Sequence, residues 1–400
     1  MRGRCFLDKA PGVLYFIPRF RAPDGRSRLG NPRISWVALN LALSPCPLAV
    51  RNLLERFREP GAILSAGAGA LAEVPGVTPR LVARIRDPRL LDAAGAEMRS
   101  AERQSIRILI RDDPEFPGIL AQLPDPPPLL YVRGSLRDGD DPAVAVVGSR
   151  RATPYGLEMA RSLAGEIASA GVVVVSGLAR GIDEAAHRGA LEAGGRTLAF
   201  LGSGIDRLYP PESRRLAGAI VSNGAVLSEF PLGTAPLPGN FPVRNRLISG
   251  ICRGTVVVEA APRSGSLITA RLALEQGREV FAVPGNATTL SALGPNFLIQ
   301  QGAKLVMRGR DILEEIPGVD LPEEPPGKDR EEEGALEGEA ARVLSLVPPD
   351  EPIGVDDLAA RTGMEAGPLL CALLELEMKD RVSRLPGRRF IRRRRRSELG

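Results

Sequence analysis

Seven short apolar runs between residues 143 and 316, separated by helical patterns, restrict this chain more than any other feature. They are Ala143–Val147, Val172–Val175, Thr197–Leu201, Ala225–Leu227, Thr255–Val258, Val280–Val283 and Leu305–Met307. The runs are apolar at consecutive positions, so the strands they predict must be covered on both faces. Helical patterns such as Gly156–Ala170, Ile182–Ala193 and Ser266–Gln276 lie between most of them. Such alternation predicts an α/β domain built on an extended Rossmann-like, doubly wound, mainly parallel sheet. Sheets of this kind bind ligands outside the carboxyl ends of their strands. The loops that follow the runs are therefore where function should be sought.

The loop after Ala143–Val147 is Gly148-Ser149-Arg150-Arg151. A dinucleotide site would place Gly-x-Gly-x-x-Gly there, with small residues to admit a pyrophosphate. One glycine, a hydroxyl and two guanidiniums instead suit phosphates whose charge the protein itself balances. The second loop carries Ser176, Gly177, Arg180, Gly181 and Asp183, with Asp183 expected to cap the following helix. His187, the only histidine, lies one turn further, where a bond to Asp183 is expected. The third loop holds Arg207 between glycines and a prolyl segment. Glu229–Arg246 reads as a long loop containing Asn240, Phe241, Arg244, Asn245 and Arg246, a mix of cations and an aromatic that fits a strand with bases to stack. Glu259 precedes Ser264-Gly265-Ser266, hydroxyls at a helix start that can meet an anion without a metal. Phe241 reads equally as a buried anchor, and Ser266 as a simple cap.

Several classes of function are excluded or weakened. No Gly-x-x-x-x-Gly-Lys-Ser/Thr occurs, and no acidic cluster suggests a two-metal site. Cys5, Cys46, Cys252 and Cys371 are scattered and form no Cys-x-x-Cys pair, so neither a zinc site nor a disulfide framework is expected. Cofactor and metal are both expected to be none. The net charge of +5 is concentrated: seven arginines lie between Arg388 and Arg396, and removing seven from +5 leaves −2 for the rest. An anion site must then be argued loop by loop. No apolar run is long enough for a bilayer, which predicts a cytoplasmic protein with no membrane partner.

Around the sheet, residues 1–33 are basic, Pro/Gly-rich and expected to be disordered. Residues 34–100 read as a small helical domain, like a SAM or helix-hairpin-helix unit, with a Val74-Pro75-Gly76-Val77 turn and Arg80, Arg84 and Arg86 near it. Residues 101–142 form a connector with one strand at Ile106–Ile110, counted with the sheet to give one extended Rossmann-like domain over 101–316. Residues 317–335 read as a linker. Over 336–392, three helices and a hairpin across Pro386-Gly387 predict a winged helix, ending in an arginine-rich tail at 393–400. Its third helix has Glu365, Glu375 and Glu377 where base reading would call for Arg, Lys, Asn or Gln. That unit is therefore expected to meet phosphates through the tail, or protein, and not to read base sequence.

Taken together, Gly148-Ser149-Arg150, Ser176–Asp183 with Ala186-His187, Asn240-Phe241-Pro242 with Arg244-Asn245-Arg246, and Ser264–Arg271 followed by Pro284-Gly285 resemble the bacterial DNA-processing protein A family (DprA, also called Smf). The resemblance is dense over residues 143–316. It implies a non-enzymatic protein that binds single-stranded DNA, forms a homodimer through the Rossmann-like domain, and loads RecA recombinase onto incoming strands in natural transformation. It further implies phosphate contacts from Arg150, Arg180, Arg244 and Arg246, close backbone approach at Gly148 and Ser149, and base stacking on Phe241. The Ser264–Ser266 loop would form the rim. The segment Asn286–Gly294 departs from the family pattern, and no contact is carried onto it. Two rival readings remain: a nucleoside-monophosphate phosphoribohydrolase-like enzyme, which would need a Pro-Gly-Gly-x-Gly-Thr stretch absent here, and a duplex-binding regulator driven by the winged helix.

Overall fold

The computed structural model of the protein describes residues 32–319, 339–348, 351–379, 381–385 and 387–392. The expected extension over 1–33 (save its last two residues), most of the 317–335 linker and the 393–400 tail lie outside them.

Six helices come first: α1 (Pro32–Leu43), α2 (Pro47–Phe57), α3 (Pro60–Ser65), α4 (Ala68–Ala72), α5 (Pro79–Ile85) and α6 (Leu90–Arg103). Proline opens α2, α3 and α5, where its fixed φ suits the first turn and its missing N–H costs nothing. Arg84 does not face outward as a phosphate ligand. Its guanidinium donates to Leu41 O at 2.6 Å, tying α5 to the end of α1.

The sheet follows. Its elements are β1 (Arg107–Ile110), α7 (Gly118–Ala121), β2 (Leu129–Gly134), β3 (Ala143–Val147), α8 (Pro154–Ser169), β4 (Val173–Ser176), α9 (Ile182–Glu192), β5 (Thr197–Phe200), α10 (Arg214–Asn223) and β6 (Gly224–Ser228). Next come α11 (Asn240–Gly250), β7 (Gly254–Val257), α12 (Gly265–Glu275), β8 (Glu279–Ala282), α13 (Leu293–Gln300), β9 (Lys304–Leu305) and α14 (Gly309–Leu313). The strand order is β1-β2-β6-β5-β4-β3-β7-β8-β9. Strands β3 to β9 pair in parallel, while β1 and β2 add an antiparallel edge. All seven runs form strands, and the strand expected at Ile106–Ile110 is β1. The strand β2 was not anticipated, because Leu129–Gly134 follows a run of prolines that reads as a connector.

Alternate residues of each strand serve opposite faces. Ala143, Ala145, Val175, Phe200 and Leu227 pack with Leu247, Ile248 and Ala270 of α11 and α12. Val144, Val146 and Val174 pack with Ala160, Leu163 and Ile167 of α8. Towards the β2 edge, Tyr131, Ala199 and Val226 join one continuous core with Trp36, Leu39 and Leu53 of the first helices. The α1–α6 bundle is thereby packed directly onto the sheet.

The remaining described residues form a second unit. It contains α15 (Glu339–Leu346), β10 (Ile353–Gly354), α16 (Val355–Thr362), α17 (Ala366–Met378), β11 (Val382–Leu385) and β12 (Arg389–Arg392). Strands pair antiparallel in the order β10-β12-β11. Val343, Leu358, Leu369, Leu373 and Phe390 make its core. This is the predicted winged helix, with β10 as an extra strand. Glu365 sits at the N-cap of α17, not within the helix.

Candidate nucleic-acid interface

Strand β3 has β4 on one side and β7 on the other, and chain order reverses about it. Loops leaving β3 and its neighbours therefore diverge and open a crevice at their carboxyl ends. The backbone there is packed too tightly for side chains. A Cβ on Gly148 would lie 2.6 Å from Ile182, and one on Gly181, at φ +80°, would lie 2.3 Å from Ser149 O. That same Ser149 carbonyl accepts from Ile182 N at 3.2 Å. The glycines thus join the first two loops, which explains why those two positions carry no side chain.

The floor is a buried arginine. Arg244, 4% exposed, donates to Gly177 O at 2.8 Å and to Phe200 O. These carbonyls end β4 and β5, so the guanidinium covers negative ends of peptide dipoles that would otherwise repel an anion. Burial pulls its pKa down to about 10, opposed by the nearby Asp183 carboxylate. It therefore remains charged at neutral pH. Asp183 does not cap its helix as expected. Its carboxylate accepts from Gly177 N at 3.2 Å and Ala179 N at 3.3 Å, holding the β4 loop closed, and burial raises its pKa.

Above this floor lies Phe241. It is not in a loop: residues 240–250 form α11, with Pro242 accommodated in the first turn. The Phe241 ring has the Arg150 guanidinium 4.8 Å from its centroid and that of Arg244 at 5.8 Å, both within cation–π range. Tyr209, 44% exposed, lies 6.2 Å away with its ring tilted by 54°. Gly202 gives the ring room, since a Cβ there would stand 2.8 Å from it. Half-buried, Phe241 is both an anchor and an accessible aromatic surface.

The other expected residues divide clearly. Arg150, Arg151 and Arg207 are exposed. Arg180 is exposed too but is ion-paired with Glu212. Ser149 Oγ accepts from Arg151 N at 3.1 Å and so shapes the first loop. Ser176 is wholly buried and donates to Val146 O. Asn245 ties α11 to α12 by donating to Gly265 O at 3.2 Å. Ser264 caps α12 and shares a 2.7 Å bond with Ser266, which is buried, whereas Gly265 is open to solvent. Asn240 faces elsewhere, lining a cavity of about 330 Å³ with Leu41, Arg84 and Phe230 beside the first helices. Arg246 is 3% exposed, with its guanidinium on Glu229 and on Asp125 O at 2.8 Å. It holds the Pro-rich segment before β2 and does not reach the Arg150–Phe241 cluster.

Two further residues of the site are buried. His187 is completely buried, and its Nδ1 meets Thr197 Oγ1 at 2.7 Å instead of Asp183. The Thr197 hydroxyl donates to Val174 O, so it accepts from Nδ1–H, which fixes the tautomer. Burial, aided by Arg244, lowers the His187 pKa to about 3. Glu259 is buried, and its carboxylate accepts from Thr153 Oγ1 at 2.5 Å and Thr153 N at 3.0 Å. It braces the start of α8. Tyr209, beside Phe241, escaped the sequence reading. The only signal was an aromatic before two prolines. Among the described residues no group of His, Cys, Asp and Glu is placed to hold a metal.

Residues 107–317 match the family described as "DNA recombination-mediator protein A". The chain belongs to this family. Residues 325–388 match the DprA winged helix domain. Protein Smf of Synechocystis sp. is 34% identical over 391 residues, covering 90% of this chain and 98% of that protein. DNA processing protein DprA of Streptococcus pneumoniae is 46% identical over 200 residues, 50% of this chain and 71% of the relative. The X-ray structure of DNA processing protein A from Streptococcus pneumoniae superposes with a TM-score of 0.59 at 36% identity, over 70% of this chain and 98% of that one. Every crevice residue described above lies inside the family-matched segment. No helix among the described residues is long and apolar enough to cross a membrane.

Proposed function

We propose that this chain captures single-stranded DNA at the carboxyl edge of its sheet, protects it, and loads RecA recombinase onto it during natural transformation. The observation that carries the reading is the half-exposed Phe241 ring with the guanidiniums of Arg150 and Arg244 within cation–π range, at an open rim with Arg151 and Arg207 exposed. A splayed base stacks on the ring or on the plane of Arg150, while phosphates meet the exposed arginines. Bases of a duplex are already stacked and paired, so the same rim favours single strands. Each phosphate contact releases a counterion and steepens salt dependence by about 0.7 in log–log slope. The relatives' names, DNA processing protein and recombination mediator, accord with this role.

The chain acts as a homodimer through its Rossmann-like domain. Helix α13 and strand β9 support this: Leu293, Phe297, Leu305 and Met307 are 39%, 55%, 42% and 51% exposed, an apolar surface suited to a second subunit. The enzyme reading is disfavoured because the Glu259 carboxylate, the acid a phosphoribohydrolase would use, is engaged by Thr153.

The test is equilibrium binding of the full chain to a labelled single strand and the matching duplex at two salt concentrations, with Arg150→Ala and Phe241→Ala alongside. Salt-sensitive preference for the single strand, weakened by both substitutions, is expected. Equal or duplex-favouring affinity, indifferent to both, would overturn the reading. Release of free base from nucleoside monophosphates would revive the enzyme. RecA filament growth on a strand coated with single-strand-binding protein, with and without the chain, tests loading.

A further inference from the structure

Of the exposed arginines Arg150, Arg151, Arg180 and Arg207, only Arg180 has a carboxylate partner among the described residues. Its guanidinium meets Glu212 Oε1 through both Nε and Nη2. The two side chains stay open to solvent, at 64% and 51% exposure. An ion pair so exposed usually contributes little, because two long side chains must be ordered to make it. Here both backbones are already held. Asp183 fixes Ala179 N on one side of Arg180, and Gly181 is pressed against Ser149 O on the other. On the facing segment Pro210 and Ser213 are buried, and Ser213 N donates to Pro210 O at 3.1 Å around the short turn Pro211–Ser213. Tyr209, just before it, rests against Phe241. Glu212 is thus carried from the β5 loop to the β4 loop by a strap anchored on each side of it.

We propose that Glu212 is an internal stand-in for a DNA phosphate: its carboxylate occupies Arg180 in the free chain, and a strand gains that arginine only by displacing it. The inference rests on the single-strand reading of the same rim. A carboxylate and a phosphodiester present the same chemistry to a guanidinium, anionic oxygens that accept from its N–H fork. Side by side they repel as like charges, so the two exclude one another at Arg180. The carboxylate is tethered, which gives it a high effective concentration at the arginine and returns it as soon as a phosphate leaves. Arg150, Arg151 and Arg207 face no such competitor among the described residues and supply the standing attraction.

The consequence is kinetic. Arg180 is a contact that breaks readily, so a strand can be peeled from the rim one phosphate at a time, which suits a strand held in order to be passed on.

The test titrates the full chain with a labelled single strand and follows dissociation by stopped flow. Glu212→Gln should bind roughly three- to tenfold more tightly at low salt, chiefly through slower dissociation. The gain should shrink as added salt screens the exposed charges. Glu192→Gln removes the same charge from an exposed partner of Arg161 at the last residue of α9, and should change little. In an Arg180→Ala background, adding Glu212→Gln should give little of the gain. Unchanged or weaker binding by Glu212→Gln would overturn the proposal, and so would a gain as large without Arg180 as with it. A wild type that ignores single strands would instead defeat the single-strand reading, and a second probe then decides the stand-in. Inorganic tripolyphosphate should shield Arg180 from phenylglyoxal, read by mass spectrometry of its peptide, at a lower concentration in Glu212→Gln than in the wild type. Equal concentrations would overturn it.

Discussion

Lowering the pH should destabilise the folded unit through one residue, His187. It is held neutral where α9 packs on the sheet, with Nδ1–H on Thr197 of β5 and Nε2 unpartnered among the described residues. Its folded pKa is about 3, against 6.5 for the free side chain. A base with a depressed folded pKa binds fewer protons when folded, so its contribution to stability is intact above pH 6.5 and is lost as pH falls towards 3. At 1.36 kcal/mol per pH unit, about 2 kcal/mol disappears between pH 7.5 and 5, and roughly 4–5 kcal/mol by pH 3. The carboxyls of Asp183, Glu229 and Glu97 are all raised by burial and act in the opposite direction. They are present in both proteins of the comparison, which is why a variant is needed. Urea denaturation of the wild type and of His187→Gln at pH 7.5 and pH 5 measures the difference. The glutamine still hydrogen-bonds but cannot titrate, so the wild type should lose about 2 kcal/mol more than the variant. Equal losses would show that the buried imidazole is not the titrating group and would refute the reasoning.

Removing the Phe241 ring with Phe241→Ala should weaken single-strand binding by about 1–3 kcal/mol in an anisotropy titration, with little change for duplex. Arg150→Ala should lower the salt slope of single-strand binding by about 0.7, whereas an unchanged slope would place Arg150 away from phosphate. Arg246→Met should cost about 3–5 kcal/mol of stability by denaturant titration, because Glu229 is left buried and unpaired; adding Glu229→Leu should recover most of it. Gly181→Ala should cost about 1–3 kcal/mol, since the residue holds φ +80° against Ser149 O, and a neutral result would contradict the close approach of the two loops.

Much of this molecule is written locally. Each parallel strand is a short, continuously apolar run because both faces are covered, so the seven runs from Ala143 to Met307 announce a doubly wound sheet without any knowledge of its partners. The winged helix was equally legible, with its hairpin at Val382–Leu385 and Arg389–Arg392. The antiparallel strand β2 was not, because Leu129–Gly134 owes its strand form to pairing with β6, nearly a hundred residues later. In the site, residue types were readable and their roles were not. Arg150, Arg244 and Arg246 look alike in a sequence, yet one stands at the rim, one lies beneath it and one pairs with Glu229 away from it. Phe241 to Arg246 read as a loop because Pro242 and Asn245 resemble turn residues, whereas packing on both sides made the segment a helix. Apolar periodicity is decided by neighbours along the chain, and so the sequence alone determined the layers. Whether a guanidinium is a ligand or a brace depends on which carbonyls and carboxylates distant segments bring to it, and only the tertiary structure decided that.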